Sequence, residues 1–375
     1  MNYKGFFSKR FVTMMAAAVI IALAPLSRAE AHGYLQTNLV SDGSVTAKTT
    51  DPNLVNPWGV AFFPGGPFWV SDNGKGVSTL YDGQGNIVPL TVTIPTPNND
   101  TNPGAPGPSG MVWNGNPMAF PVGTTVQNTA AALFMWATED GTIAAWQPGF
   151  GVSGTSSAVT VVKNPGFVNG GAGQDPVYKG LAIGNNSRGL FLYATNFRSG
   201  KIAVWDSMFG ADATLNAKFI DSQIPTTFAP FGIHNINGQL WVTYAKQDAA
   251  KHDPVSGAGR GFVDVFDTDG NLLRRFAARG VLNAPWGVVL APAHFGQFGN
   301  DILIGNFGDG KISAWDLRTR NFMDWLRNDQ GKVIKLGTLW ELVFGGGMNA
   351  SPQVLYFTTG LANEQDGLFG TLIPN

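Results

Sequence analysis

The chain contains no cysteine. Disulfides and thiolate metal centres are therefore excluded, and stability must come from packing alone. Histidine is nearly as scarce, with four in 375 residues: His32, His234, His252 and His294. A three-histidine zinc site would need nearly all of them, and no His-Glu-x-x-His spacing exists. Charge is also sparse: charged residues make up 13% of the chain, the formal net charge is -1, and no basic cluster lies beyond the first residues. A nucleic-acid partner is not expected, because replacing phosphate counterions takes a concentrated Lys/Arg surface. No heptad run suggests a helical protein, and Gly107-Pro-Ser-Gly110 is not a Gly-x-Ser-x-Gly nucleophile elbow.

The start of the chain is distinctive. Lys4, Lys9 and Arg10 precede an uncharged apolar run from Phe11 to Leu26, and Ala29-Glu30-Ala31 follows. This is the layout of a secretory signal peptide, and the run is too short for a spanning helix. The expectation is a signal peptide over 1–31, a single domain over 32–375, a secreted or periplasmic location, and no membrane contact after cleavage. A mature chain opening on His32 would present an amine and an imidazole of the kind that chelates copper, but a lone chelate lacks the second histidine such a site needs.

Glycine is plentiful, at 49 residues, as are 23 prolines and 12% aromatics. That composition fits many short strands joined by tight turns. Self-similarity organises them. Asn196-Phe-Arg-Ser-Gly-Lys-Ile-Ala-Val-Trp-Asp206 and Asn306-Phe-Gly-Asp-Gly-Lys-Ile-Ser-Ala-Trp-Asp316 agree at seven of eleven positions, 110 residues apart. A second landmark opens each unit: Trp58-Gly59, Ser109-Gly110, Lys179-Gly180, Phe231-Gly232, Trp286-Gly287 and, with glutamate for glycine, Trp340-Glu341. Each landmark precedes an apolar second strand such as Phe68-Trp-Val70 or Leu240-Trp-Val242, then a polar turn and an alternating third strand such as Gly261–Asp267. Strands buried on both faces followed by strands buried on one are what a propeller blade requires. Six openings predict an all-β, six-bladed β-propeller of four-stranded blades. Tyr34 to Leu39 is expected to close the ring beside Leu368 to Ile373, removing the free edges. The turns Asp82–Asn86 and Asp267–Asn271 read as hairpins, since an EF-hand's twelfth-position glutamate is alanine at Ala278.

The segments Asn53-Leu-Val-Asn-Pro-Trp-Gly59, Phe68-Trp-Val-Ser-Asp-Asn-Gly74, Tyr244–Asp248 through Phe262–Asn271, and Gly305-Asn-Phe-Gly-Asp-Gly310 resemble a family of exported bacterial propeller proteins. That family is related to NHL-repeat and SMP-30-like β-propellers. The resemblance implies a fold and an address, and it brings no catalytic residues with it. Some relatives carry a C-terminal sorting anchor, so a chain stopping at Leu372-Ile-Pro-Asn375 is expected to be free of one.

Propellers present ligands where loops lead into the first strands and join second to third strands. Those positions offer Asp72, Asn73, Glu139, Asp140, Asn196, Arg198, Asn306 and Asp309, with Trp58, Lys179, Trp286 and Glu341 beside them. Carboxylates and amides next to aromatics suit a hard cation such as Ca²⁺ or a polar ligand stacked on tryptophan. Taken singly, such Asp and Asn residues more often satisfy their own turns. The long insertion Ala245–Arg260 could act as a lid bearing His252 and Asp253 as an acid–base pair. The expectation is a binding or scaffold propeller for a small polar or glycan-like ligand or a protein partner. The alternative is a Ca²⁺-dependent lactonase or hydrolase; no catalytic motif supports it.

Overall fold

In the computed structural model, which describes residues 1–2, 33–95, 107–123, 129–150, 155–163 and 175–375, the chain divides into the units Met1–Glu30 and Ala31–Asn375. The signal-peptide residues, His32 and the Gly-rich stretch 169–174 lie outside the described residues.

Six mainly antiparallel sheets follow one another along the second unit, with a small two-stranded ribbon, Pro121–Gly123 against Thr129–Ala131, beside them. Their innermost strands are Pro57–Ala61, Pro108–Trp113, Tyr178–Asn186, Phe228–Ile236, Pro285–Leu290 and Thr338–Phe344. Each touches the next, and the sixth touches the first, so the sheets form the blades of a closed six-bladed propeller. The second strands are the apolar runs: Phe68–Asp72 and Phe134–Thr138 are buried along their whole length. They are buried because each blade packs face to face on its neighbours. Trp69 of blade 1, for example, stacks on Phe134 of blade 2 with ring centroids 4.2 Å apart.

The ring closes as the alternation predicts. Tyr34–Ser41 pairs antiparallel with Asp366–Pro374, from Tyr34 opposite Pro374 to Ser41 opposite Leu368, with a bulge between Asn38 and Val40. Leu39 and Val40 are buried, and the Tyr34 hydroxyl donates to the Phe295 carbonyl at 3.2 Å. The outermost strands depart from the four-stranded expectation. Blades 1 and 6 each gain a fifth, parallel strand, Thr155–Ser157 and Thr49–Thr50. Blade 3 has three strands, and the one-turn helix Ala213–Asn216 stands at its edge. The Asn216 side chain accepts the Val204 N–H at 2.6 Å, and the Asp212 N–H donates to the Val204 carbonyl at 2.9 Å. Those two bonds do the work of a ladder, so that edge needs no fourth strand.

The landmark glycine now has a reason. A Cβ on Gly59 would lie 2.7 Å from the Ser109 carbonyl oxygen, one on Gly180 2.8 Å from the Ile233 nitrogen, and one on Gly287 2.7 Å from the Trp340 carbonyl oxygen. Gly110 and Gly232 face the next blade's backbone in the same way. Inner strands crowd around the axis so closely that only glycine fits between them. Hydroxyls fasten the same contacts: Thr195 Oγ1 donates to the Phe231 carbonyl at 2.7 Å, and Thr358 Oγ1 to the Trp58 carbonyl at 2.5 Å.

Candidate functional site

All six inner strands carry a register shift at the landmark, spanning Pro57–Val60, Pro108–Met111, Tyr178–Leu181, Pro230–Ile233, Pro285–Val288 and Leu339–Leu342. A bulge re-aims the side chains beside it. Here the residue before the glycine occupies equivalent places around the axis: Trp58, Ser109, Lys179, Phe231, Trp286 and Trp340. Four are aromatic and pack into one cluster with Phe197 and Phe307, the phenylalanines of the repeated Asn-Phe motif. Trp58 stacks on Trp340 at 3.5 Å, and Trp286 meets both rings edge-on at 6.4 and 5.8 Å. This cluster plugs the channel. One pocket lies on each side of it, since one is lined by the beginnings of the inner strands and the other by their later residues.

The first pocket, of about 500 Å³, has Trp58, Trp340 and Phe307 as its floor. Lys179, standing where other blades place an aromatic, has its side chain buried to 1% exposure. Its ammonium pairs with Glu139 Oε1, lies 3.6 Å from Asp253 Oδ1 and sits 5.1 Å from the Trp58 ring centre. Glu139 comes from the second-to-third-strand turn of blade 2. Its Oε2 accepts from Asn73 Nδ2 at 2.8 Å. Asn56 Nδ2 donates to Glu364 Oε2 at 2.9 Å and to Asn73 Oδ1 at 3.3 Å, and Trp340 Nε1 donates to Asn56 Oδ1 at 3.0 Å. Gly107, at φ 51°, lies against the Asn73–Glu139 bond, where a Cβ would be 3.0 Å from Glu139 Oε2.

The insertion after Lys246 forms the remaining wall. Asp248 Oδ1 accepts from the backbone N–H of His252 (2.8 Å) and of Asp253 (3.2 Å), and Gln247 Nε2 ties the base of the loop to the Phe197 carbonyl at 2.5 Å. His252 Nδ1 lies 2.8 Å from Asp253 Oδ1. The His252 hydrogen bond, then Lys179, hold the Asp253 carboxyl below its usual range, while burial pushes Glu364 up. Donor atoms of Glu139, His252 and Asp253 lie within 4.8 Å of one another, a set able to hold a metal. Lys179 already supplies a positive charge there.

Of the residues expected at the channel face, Trp58, Asn73, Glu139 and Lys179 meet at this pocket. The others go elsewhere. Asp72 is fully buried inside blade 1, where it accepts from Thr79 Oγ1 at 2.7 Å. Asp140 binds Thr138 and Thr142 of its own turn, and Asn196 accepts the Ser199 N–H at 3.2 Å. Arg198 donates to the Asp175 carbonyl at 2.7 Å. Asn306 braces Val281 and Asn283, and Asp309 pairs with Lys311 at 3.0 Å. Trp286 belongs to the plug, and Glu341 faces the second pocket. The hairpin reading of Asp82 and Asp267 holds, each carboxylate accepting backbone N–H groups of its own turn. Glu364, from the turn Asn363–Asp366 between second and third strands, and His252 and Asp253, from the long insertion, complete the pocket.

Burial raises several carboxyls: Asp72, Asp140 to about 6, Asp264 to about 7, Glu341 to about 8, and Glu364. Each keeps a proton in the folded state that the unfolded chain has released, so each costs stability as pH rises from about 4 to its own raised value. Burial lowers His234 to about 4, which costs stability below pH 6.5, and lowered carboxyls such as Asp253 and Asp324 cost it below about pH 4. The melting temperature is expected to peak near pH 4 and to fall steadily to pH 8.5, by roughly 5 kcal/mol of stability or more. A thermal scan from pH 4 to 9 that rises monotonically to pH 8 would contradict these assignments.

No family model matches the chain. Two proteins of Acanthamoeba polyphaga mimivirus are similar along most of it: "Uncharacterized protein R648" is 31% identical over 89% of this chain and 78% of its own length, and "Uncharacterized protein L690" is 32% identical over 90% and 85%. These relatives are viral, so the bacterial source implied by the sequence resemblance finds no support. Among solved structures, a glucose dehydrogenase superposes with a TM-score of 0.52 at 12% identity, covering 90% of this chain and 98% of its own, a likeness of fold. The chain belongs to the same family as the mimivirus proteins R648 and L690, and its fold is the six-bladed β-propeller.

Proposed function

We propose that the protein binds a small hydroxyl-rich ligand, such as a sugar or polyol, in the pocket above the tryptophan plug. One observation carries this reading: carboxylates from three blades, Glu139, Asp253 and Glu364, gather around a single buried ammonium over a stacked tryptophan floor. Strand packing asks for none of these groups. An aromatic floor and a few convergent polar side chains are what orient a polar ligand with apolar ring faces. Export through the basic, apolar start is part of the same proposal, since such a ligand would be met outside the cell.

The Glu139–His252–Asp253 set supports a second reading, a metal-dependent hydrolase. Against it, Lys179 occupies the cationic position, so a dication would have to displace a paired ammonium. A thermal-shift panel of monosaccharides, disaccharides, Ca²⁺, Mg²⁺ and Zn²⁺ separates the two. A saturating sugar is expected to raise the melting temperature by several degrees, a ligand at a hundred times its Kd adding about 2.7 kcal/mol. A shift from a metal and none from any sugar would favour the hydrolase; no shift at all would remove both small-ligand readings.

A further inference from the structure

Past the plug, the channel opens into a second cavity of about 330 Å³, with walls from every blade: Val60, Met111, Leu181, Ile233, Val288 and Leu342. Two of its lining residues titrate, His234 and Glu341. Glu341 occupies the position that is glycine in the other five blades, where strands otherwise meet too closely for any side chain. Its Oε1 accepts the Leu342 N–H at 3.0 Å.

His234 fixes the chemistry. Its Nε2 lies 3.0 Å from the Trp286 carbonyl, which can only accept, so Nε2 carries the proton and Nδ1 is a bare acceptor. That Nδ1 stands 3.6 Å from Glu341 Oε1. Once Glu341 gives up its proton, two acceptors face each other in an apolar cavity, and a donor is required between them. The imidazole does not supply it, because burial holds His234 neutral down to about pH 4.

We propose that this cavity is a second, separate binding site for a primary ammonium with an alkyl or aryl body, its N–H groups bridging Glu341 and His234 Nδ1. A primary ammonium offers three donors, enough for both acceptors, while the apolar walls take the carbon skeleton. The pocket above the plug does not suit this ligand as well, because Lys179 already fills that role.

Burial pushes Glu341 up to about 8, so at neutral pH the carboxyl holds a proton that an arriving ammonium must displace. No other titratable side chain lines the cavity from any of the six inner strands. Isothermal titration calorimetry with benzylamine is the test, with benzyl alcohol as its neutral analogue. One-to-one binding is expected, tightening roughly a hundredfold from pH 6 to pH 9, with nearly one proton released per benzylamine at pH 7 in paired buffers. Glu341→Gln, close in shape to the protonated acid, should weaken benzylamine at least tenfold at pH 9 with its melting unchanged at pH 6. Glu341→Gly, which restores the residue of the other blades, should do the same should the glutamine variant fail to fold. Benzyl alcohol binding as tightly as benzylamine, wild-type affinity in either variant, or no benzylamine binding at pH 9 would each overturn the proposal.

Discussion

Replacing Gly59 by alanine is expected to cost about 3 kcal/mol or more and to lower the melting temperature by roughly 5–10 °C. The added carbon would sit 2.7 Å from the Ser109 carbonyl oxygen, 2.9 Å from the Met111 nitrogen and 3.2 Å from the Gly110 Cα, all of them backbone atoms. A clashing side chain can rotate away, but a neighbouring inner strand moves only by displacing the next strand in a closed ring. Gly238 makes the contrast. Its φ is 80° and nothing lies within 4 Å of the place a Cβ would occupy, so alanine there costs conformational strain alone, about 1 kcal/mol. Urea denaturation of the two variants separates the causes. Equal losses would mean that the inner strands are not close-packed at the axis.

Deleting Gln36 to Ser41 is expected to abolish recovery of soluble monomer. The segment provides most of the outer strand that closes blade 6, and it buries Leu39 and Val40, at 4% and 0% exposure. Each such side chain is worth about 1.5–3 kcal/mol when fully buried. Its loss also bares the Asp366–Pro374 edge, which carries the buried side chains Leu368, Phe369 and Leu372. An open, apolar edge pairs with other copies. Size-exclusion chromatography after expression reads the outcome; a monomer with unchanged melting would refute closure by this strand.

The blades were legible because their signal is local and repeated. Trp-Gly openings, apolar second strands and the two Asn-Phe-x-x-Gly-Lys segments each recur where a blade needs them, and the alternation from Tyr34 fits an outer strand. The third blade's edge was not legible, because two hydrogen bonds, from the Val204 N–H to the Asn216 side chain and from the Asp212 N–H to the Val204 carbonyl, can stand in for a strand's ladder and leave no periodic trace. The site was read in part. Position in a second-to-third-strand turn places Glu139 and Asn73 at the channel pocket, but it says nothing of whether a carboxylate turns inward, and Asp72 turns into its own blade. The bulge hides the axial residues further, since one inserted residue switches the face on which alternation places a side chain. Loop length marked Ala245–Arg260 as worth attention. The meeting of Asp253 with Lys179 depends on how blades 3 and 4 sit beside one another, which no short window of sequence contains.

The pocket centred on Lys179 is proposed to bind its ligand independently of the cavity beyond the plug. Trp58 and Trp340 form its floor, so a bound sugar ring should change tryptophan emission directly. The decisive measurement is a fluorescence titration with the sugar that gives the largest thermal shift, carried out on wild type, Glu139→Gln and Glu341→Gln. The prediction is a saturable change in wild type, the same Kd in Glu341→Gln, and a Kd at least tenfold weaker in Glu139→Gln, which removes the nearer of the two charge partners of Lys179. An unsaturable response in wild type, or equal affinity in Glu139→Gln, would contradict it.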